Sequence, residues 1–267
     1  MIQRFILLFI FFLATGKTLA QQQSTASKQV STFTIEAPQL GYTKKIWIYL
    51  PKNYDSTKKK YPVIYMHDAQ NLFDAKTSYI GEWNVDEKLD SLNAQVIVVG
   101  IEHGNEKRID ELTPYKNIKH GGGKADNYLE FIVKTLKPEI DTKYRTKTNP
   151  GNTAIMGSSL GGLTSFYAVL KYPKIFGKAG IFSPSFDYSK DIYTITENTK
   201  KIKAKIYFLY GDNEDIDMIP NMDKMDDLIA EKRCDCMHLT RKMVVKGGKH
   251  NEKLWRDGFV KAYLWLF

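Results

Sequence analysis

The stretch Ile155-Met156-Gly157-Ser158-Ser159-Leu160-Gly161-Gly162 constrains this chain more than any other. A short apolar strand runs into Gly-x-Ser-x-Gly and then into a helical segment, Leu163 to Leu170. That spelling fits a tight strand-to-helix turn that leaves a serine hydroxyl exposed. Gly157 and Gly161 stand two residues to either side of Ser159, where a side chain would collide as the backbone doubles back. Ser158 lacks this flanking, so Ser159 is the candidate nucleophile. A pattern this short arises by chance in roughly one chain in ten of this length. Its meaning depends on what else the chain supplies.

The rest of the sequence alternates between strand and helix patterns. Thr32 to Ala37 and Lys44 to Leu50 read as strands, the second with Ile46, Ile48 and Leu50 on one face and Trp47 and Tyr49 on the other. Val63 to Met66, Val96 to Ile101, Ala154 to Met156, Lys178 to Phe182, Ile206 to Tyr210 and Lys242 to Val245 follow as short apolar strands. Helical spacing marks Trp83 to Asn93, Tyr128 to Leu136, Met222 to Lys232 and a last helix from Leu254, with a further turn from Pro138 to Tyr144. The predicted class is α/β, with a mostly parallel central sheet flanked by helices on both faces. Sites in such sheets form beyond the carboxyl ends of the strands. One rim therefore gathers the loop after Met66, the serine turn, the loop after Tyr210 and the loop after Val245.

The 267 residues suffice for one domain of this kind. Residues 1–20 read as a signal peptide: Arg4 leads a short apolar run, and Thr18-Leu19-Ala20 supplies small residues for cleavage. Residues 21–29 read as a polar, flexible leader and residues 30–267 as a single domain. The expected location is secreted or periplasmic, with no stable membrane anchor after cleavage. Losing Arg4 and Lys17 with the signal lowers the formal charge from +9 to +7. The lysines are scattered and carry no nucleic-acid motif, so a solvated basic surface and no nucleic-acid partner are expected. Cys234 and Cys236 are too close for an easy mutual bridge and read as free thiols. With His238 they spell Cys-x-Cys-x-His, yet no second ligand cluster accompanies them, and no metal or organic cofactor is expected.

A serine hydroxyl needs a general base oriented by a carboxylate. His250 follows the Lys242 to Val245 strand across Lys246-Gly247-Gly248-Lys249, which places it on the correct rim. The loop Gly211-Asp212-Asn213-Glu214-Asp215 lies between Ser159 and His250, giving the order serine, acid, histidine. Glu214 is the first choice of acid, with Asp212 and Asp215 as fallbacks. A developing oxyanion needs backbone donors. Leu160 and Gln70 are the expected pair, with Ala69 next after Gln70. His67 (beside the oxyanion loop), Trp83 and Arg108 are the expected substrate-binding side chains. The alternatives are packing beneath a loop for Trp83 and a structural carboxylate pair for Arg108.

With these residues in place the chain resembles an esterase family of the α/β-hydrolase superfamily. That family includes enterochelin esterases, feruloyl and acetylxylan esterases, S-formylglutathione hydrolase and the mycolyltransferases. The resemblance runs from about Lys44 to the C-terminus. It rests on Met66 to Asp74, Arg108 to Pro114, Tyr128 to Tyr144 and Gly157 to Gly162. Tyr172-Pro173 through Ser183-Pro184-Ser185, Gly211 to Glu214, and His250 with Trp255 complete it. It implies an α/β-hydrolase fold with Ser159, His250 and Glu214 as a triad, working through an acyl-serine. The family commonly has glycine where Ala69 stands, which puts the geometry of that loop in question. The implied substrate is a small-molecule or polysaccharide-linked ester, such as acetyl or feruloyl groups. A siderophore ester of the enterochelin type, acyl transfer to an alcohol, and a non-catalytic binding protein are the alternatives. Oligomeric state is not legible.

Overall fold

The computed structural model describes residues 23–232 and 239–267. The signal-peptide reading and the Cys234, Cys236 and His238 cluster lie outside those residues. Among the described residues eight strands form one sheet: β1 (Val30–Ala37), β2 (Tyr42–Tyr49), β3 (Val63–His67), β4 (Ile97–Ile101), β5 (Thr153–Ser158), β6 (Lys178–Phe182), β7 (Lys205–Gly211) and β8 (Thr240–Val245). Their spatial order is β1-β2-β4-β3-β5-β6-β7-β8. β2 runs antiparallel to both β1 and β4, and every other neighbouring pair is parallel. The expected α/β architecture is therefore present, with its carboxyl-end loops on one rim.

Side-chain alternation decides which helices cover which face. Ile46, Val63, Tyr65, Ile155, Ile181 and Phe208 point to one core. That core is closed by α2 (Arg108–Leu112), α3 (Ala125–Phe131), α4 (Lys137–Lys143), α5 (Leu160–Lys171), α6 (Asp191–Asn198) and α7 (Met218–Glu231). Trp47, Ile64, Met66, Met156 and Leu209 point the other way, under α1 (Val85–Ser91) and α8 (Glu252–Leu266). Such two-sided burial explains why the inner strands read as unbroken apolar runs. The short helices α2 and α6 escape a periodicity reading because they hold too few turns to show one. α3 reaches α4 through a π-helical stretch, Ile132–Leu136. Pro138 has no N–H to return to the preceding turn, and the wider π turn just ahead of it absorbs the mismatch. No helix among the described residues is long and apolar enough to cross a membrane.

Two features of β3 and β5 set the rim. A Cβ on Gly157 would stand 2.8 Å from the Gly161 carbonyl carbon and 2.8 Å from His67 Cδ2, so the turn closes only on glycine. His67 is 2% exposed, and its Nδ1 is hydrogen-bonded to the Tyr128 hydroxyl at 2.8 Å. The side chain expected to meet substrate thus sits as a buried strut beneath the serine turn. Burial, reinforced by Arg108 and Lys44 and opposed by Asp68, pushes its imidazole from 6.5 down to about 4.

Two outcomes follow from this packing. Gly157→Ala should lower stability by about 1–3 kcal/mol, as overpacking against backbone does, read as a lower denaturation midpoint. Acid should also destabilise the fold through His67. The unfolded imidazole gains its proton near pH 6.5 while the folded one resists until about pH 4, so stability falls across that window. The full loss is about 3 kcal/mol. Denaturation from pH 7 to 4.5 should show a shallower decline in His67→Gln than in the wild type; equal slopes would exclude His67 as the sensitive group.

Candidate active site

β5 ends at Ser158 and α5 begins at Leu160, so Ser159 alone forms the turn. Its backbone sits at φ 56°, ψ −123°, a region side-chain-bearing residues rarely occupy. Neighbouring backbone holds it there. Ser159 N–H donates to the Phe182 carbonyl at 2.9 Å, and its own carbonyl accepts from Leu163 N at 3.0 Å and Ser185 N at 3.2 Å. The hydroxyl is half-buried and pairs with the Ser185 hydroxyl at 3.1 Å.

The loops after β7 and β8 bring Glu214 and His250 together. His250 Nδ1 lies 2.7 Å from Glu214 Oε2, with the carboxylate side chain wholly buried and the imidazole 34% exposed. Glu214 Oε1 accepts from Gly211 N–H at 2.6 Å and from the Ser183 hydroxyl at 2.7 Å. Trp255 Nε1 donates to Ser183 Oγ at 2.8 Å. An indole N–H can only donate, so Ser183 is left to point its own proton at Glu214. These three partners fix the carboxylate in place, and it orients Nδ1–H of the imidazole toward itself. The Trp255 ring packs edge-on against His250 at 5.1 Å between centroids. Among the described residues there is no hydrogen bond between Ser159 and His250; the hydroxyl is held by Ser185. The fallback acids have other partners: Asp212 accepts from Gly247 N–H and Asp215 from Asp217 N–H.

The loop after β3 supplies the other wall. Asp68 carries the positive φ of 57°, and Ala69–Asn71 then forms a single 3₁₀ turn. Ala69 itself is not among the residues with positive φ, so the alanine is sterically acceptable there. Across from it β4 has Gly100, where a Cβ would come within 2.9 Å of the Ala69 methyl. Neither Gln70 N–H nor Leu160 N–H donates to a turn, loop or side-chain acceptor among the described residues. Thr77 Oγ1 donates to the Gln70 carbonyl at 2.7 Å and pins the loop.

Two further expected substrate contacts resolve differently. Arg108 clasps Asp68 with two hydrogen bonds, Nε to Oδ1 at 2.8 Å and Nη2 to Oδ2 at 2.9 Å. Burial alone would raise the Asp68 carboxyl, but the guanidinium holds it below the usual carboxylate range. Arg108 is thus the structural alternative, a brace for the β3 loop. Trp83 is 3% exposed, its ring 5.2 Å from Phe182 and 6.0 Å from Trp255. It packs beneath the rim instead of lining a cleft, because flanking apolar rings offer it more burial than solvent does.

Beside Ser185 an open cleft of ≈ 750 Å³ spreads between the 116–120 loop and the 185–190 loop. Lys116, Lys119, Lys190 and His120 line it, against one carboxylate, Asp187. Ser183, Ser185 and Trp255 acquire their roles only here. The pattern Ser183-Pro184-Ser185 directly after an apolar strand on the site rim was the available signal for the two serines.

Residues 37–266 match the family described as "Putative esterase". The uncharacterized protein YbbA of Bacillus subtilis is 27% identical over 238 residues, 84% of this chain and 92% of that protein. The ferri-bacillibactin esterase BesA of the same organism is 29% identical over 147 residues, about half of each chain at 49% and 50%. Among solved structures, the BES protein from Bacillus cereus superposes with a TM-score of 0.70 at 19% identity, covering 93% of this chain and 98% of that one. The enterobactin esterase FES from Shigella flexneri gives 0.69 at 14% identity, over 91% of this chain and 60% of that one. At such identities the structural likeness speaks for the fold, and the family match, spanning nearly every described residue, speaks for the chemistry. The chain belongs to this esterase family and is a carboxylic ester hydrolase of α/β architecture.

Proposed function

We propose that the protein is a secreted or periplasmic serine esterase that works through an acyl-Ser159 intermediate. One observation carries this reading: the wholly buried Glu214 carboxylate, held by Ser183 and the Gly211 amide, bonds to His250 Nδ1. That bond places a proton on Nδ1 and leaves Nε2 as a base. In the free enzyme Ser185 holds the serine hydroxyl; on substrate entry that bond gives way to one with Nε2, the tightening general bases undergo in complexes. Ser159 Oγ then attacks the ester carbonyl carbon as its proton moves to Nε2. The oxyanion is received by Leu160 and Gln70 N–H. Collapse of the tetrahedral adduct expels the alcohol, which takes the proton from His250. Water, deprotonated by the same nitrogen, attacks the acyl-serine, and the acid leaves as Ser159 regains its proton. No metal or organic cofactor enters these steps.

The cleft beside Ser185 favours one substrate class. Lys116, Lys119, Lys190 and His120 suit a bulky anionic ester, of which a ferric catecholate siderophore ester is an example. Its walls carry far more positive than negative charge, which neutral acetyl or feruloyl esters of polysaccharide do not require. Transfer of the acyl group to an alcohol in place of water uses the same intermediate.

Ser159→Ala should abolish turnover while leaving the denaturation midpoint unchanged; wild-type rates in that variant would exclude the assignment. Glu214→Gln should lower kcat by about 10³–10⁴-fold with little change in KM. For substrate class, the mature protein is assayed on a ferric tricatecholate ester, methyl ferulate, acetylated xylan and p-nitrophenyl acetate. The doubly charge-reversed Lys116→Glu/Lys190→Glu variant should raise KM for the tricatecholate about tenfold and leave p-nitrophenyl acetate unaffected. Preference for xylan or ferulate, indifferent to those substitutions, would move the assignment to polysaccharide esters.

A further inference from the structure

Glu82, Asp86 and Glu87 lie away from the nucleophile, at the start of α1, on the face covered by α8. One carboxylate oxygen from each residue lies within 4.8 Å of the other two. Two oxygens bound to one calcium ion at about 2.4 Å can be no further apart than about this distance. Glu82 is 6% exposed and Asp86 0%. Glu82 Oε1, Asp86 Oδ1 and Glu87 Oε2 are all buried, and none has a hydrogen-bond partner among the described residues.

The opposite oxygens are committed. Thr25 Oγ1 donates to Glu82 Oε2 at 3.0 Å, Ser27 N–H to Asp86 Oδ2 at 2.7 Å, and Asn84 Nδ2 to Glu87 Oε1 at 3.3 Å. Each carboxylate is thus anchored by one oxygen, and the other has no protein donor among the described residues. The nearby cations form no ion pair with them among the described residues, and their hydrogen bonds go to backbone carbonyls. Lys88 Nζ donates to the Trp83 carbonyl at 3.1 Å and Arg256 Nη1 to the Glu82 carbonyl at 3.2 Å. One shared proton could satisfy Asp86 and Glu87, but it leaves the buried oxygen of Glu82 unpaired. A single hard cation satisfies all three.

We propose that Glu82, Asp86 and Glu87 bind a hard divalent cation of the calcium class, an ion prone to oxygen ligands and able to complete its shell with water. The site would clamp the 74–83 loop to α1. Residues 24–27 lie against the site through the Thr25 and Ser27 contacts above, and beside it Ser24 Oγ donates to Asp74 at 2.6 Å and Ser27 Oγ to Asp90 at 2.7 Å. No esterase step depends on the ion, so the proposal stands apart from the assignment of Ser159.

The test uses the mature protein, stripped with EDTA and dialysed, with calcium chloride as the probe. Calorimetry should register one calcium ion per chain, and 1 mM calcium should raise Tm by about 5 °C. Ser159→Ala should respond identically. The double variant Asp86→Asn/Glu87→Gln, which removes two buried charges and keeps the side-chain shapes, should lose the heat signal and the Tm rise. A wild type whose Tm is indifferent to calcium overturns the proposal. Combined with an Asp86→Asn variant more stable than wild type in EDTA, that result would assign the cluster to a shared proton. An equal Tm rise in wild type and double variant also overturns it, since the ion would then bind elsewhere.

Discussion

Ser159 is held in a backbone conformation worth about 1–3 kcal/mol of strain, and the surrounding structure has to impose it. The imposition comes from three strands. β5 delivers the turn, β6 accepts the Ser159 N–H through Phe182, and His67 at the end of β3 fills the space under Gly157. Arg108 and Asp68 brace the same loop from the side. Strain at one residue is affordable because the inner strands around it are buried on both faces, so the turn cannot relax without disturbing the sheet.

A second dependence runs through α8. Its residue Trp255 reaches Ser183 with a donor, abuts the His250 ring, and rests on Trp83. Ser183 in turn has a positive φ of 42° and bonds through its N–H to Leu209 of β7. An unpaired buried carboxylate would be expensive. Glu214 avoids that cost only while the indole, the hydroxyl and the Gly211 amide are in register. Helix packing on one face of the sheet therefore sets the orientation of groups on its rim.

The legibility of the chain follows the reach of each signal. Ser159, Glu214 and His250 could be singled out because strand ends and flanking glycines are local, and the observed Glu214–His250 contact joins two loops already assigned to one rim. Partnerships across long separations could not be read: Trp255 and Ser183 are 72 residues apart, and Thr25 and Glu82 are 57 apart. The directions of the His67, Trp83 and Arg108 side chains are set by Tyr128, by Phe182 with Trp255, and by Asp68, all distant in sequence. Position beyond a strand end is encoded locally, whereas the direction a side chain takes there is decided by whatever packs against it. Ala69 makes the same point, since its tolerance depends on the missing side chain of Gly100 in another strand. The strand series and its two faces were largely legible, as Ile46 and Ile48 opposite Trp47 and Tyr49 illustrate.

Among the described residues β8 lies at the outer edge of the sheet, bonded to β7 alone, with Arg241, Lys242 and Val244 exposed. Such a margin resists pairing with a second molecule through its charges, but it is also the least buried of the parallel strands. His250 hangs from that strand, and the loop reaches Glu214 by pressing Gly248 directly onto Gly211, with no room for a Cβ between them. Edge strands open before cores do. Warming this molecule would therefore peel its margin first, parting imidazole from carboxylate while the inner sheet stays folded. Heat inactivation then becomes a local, recoverable event distinct from denaturation.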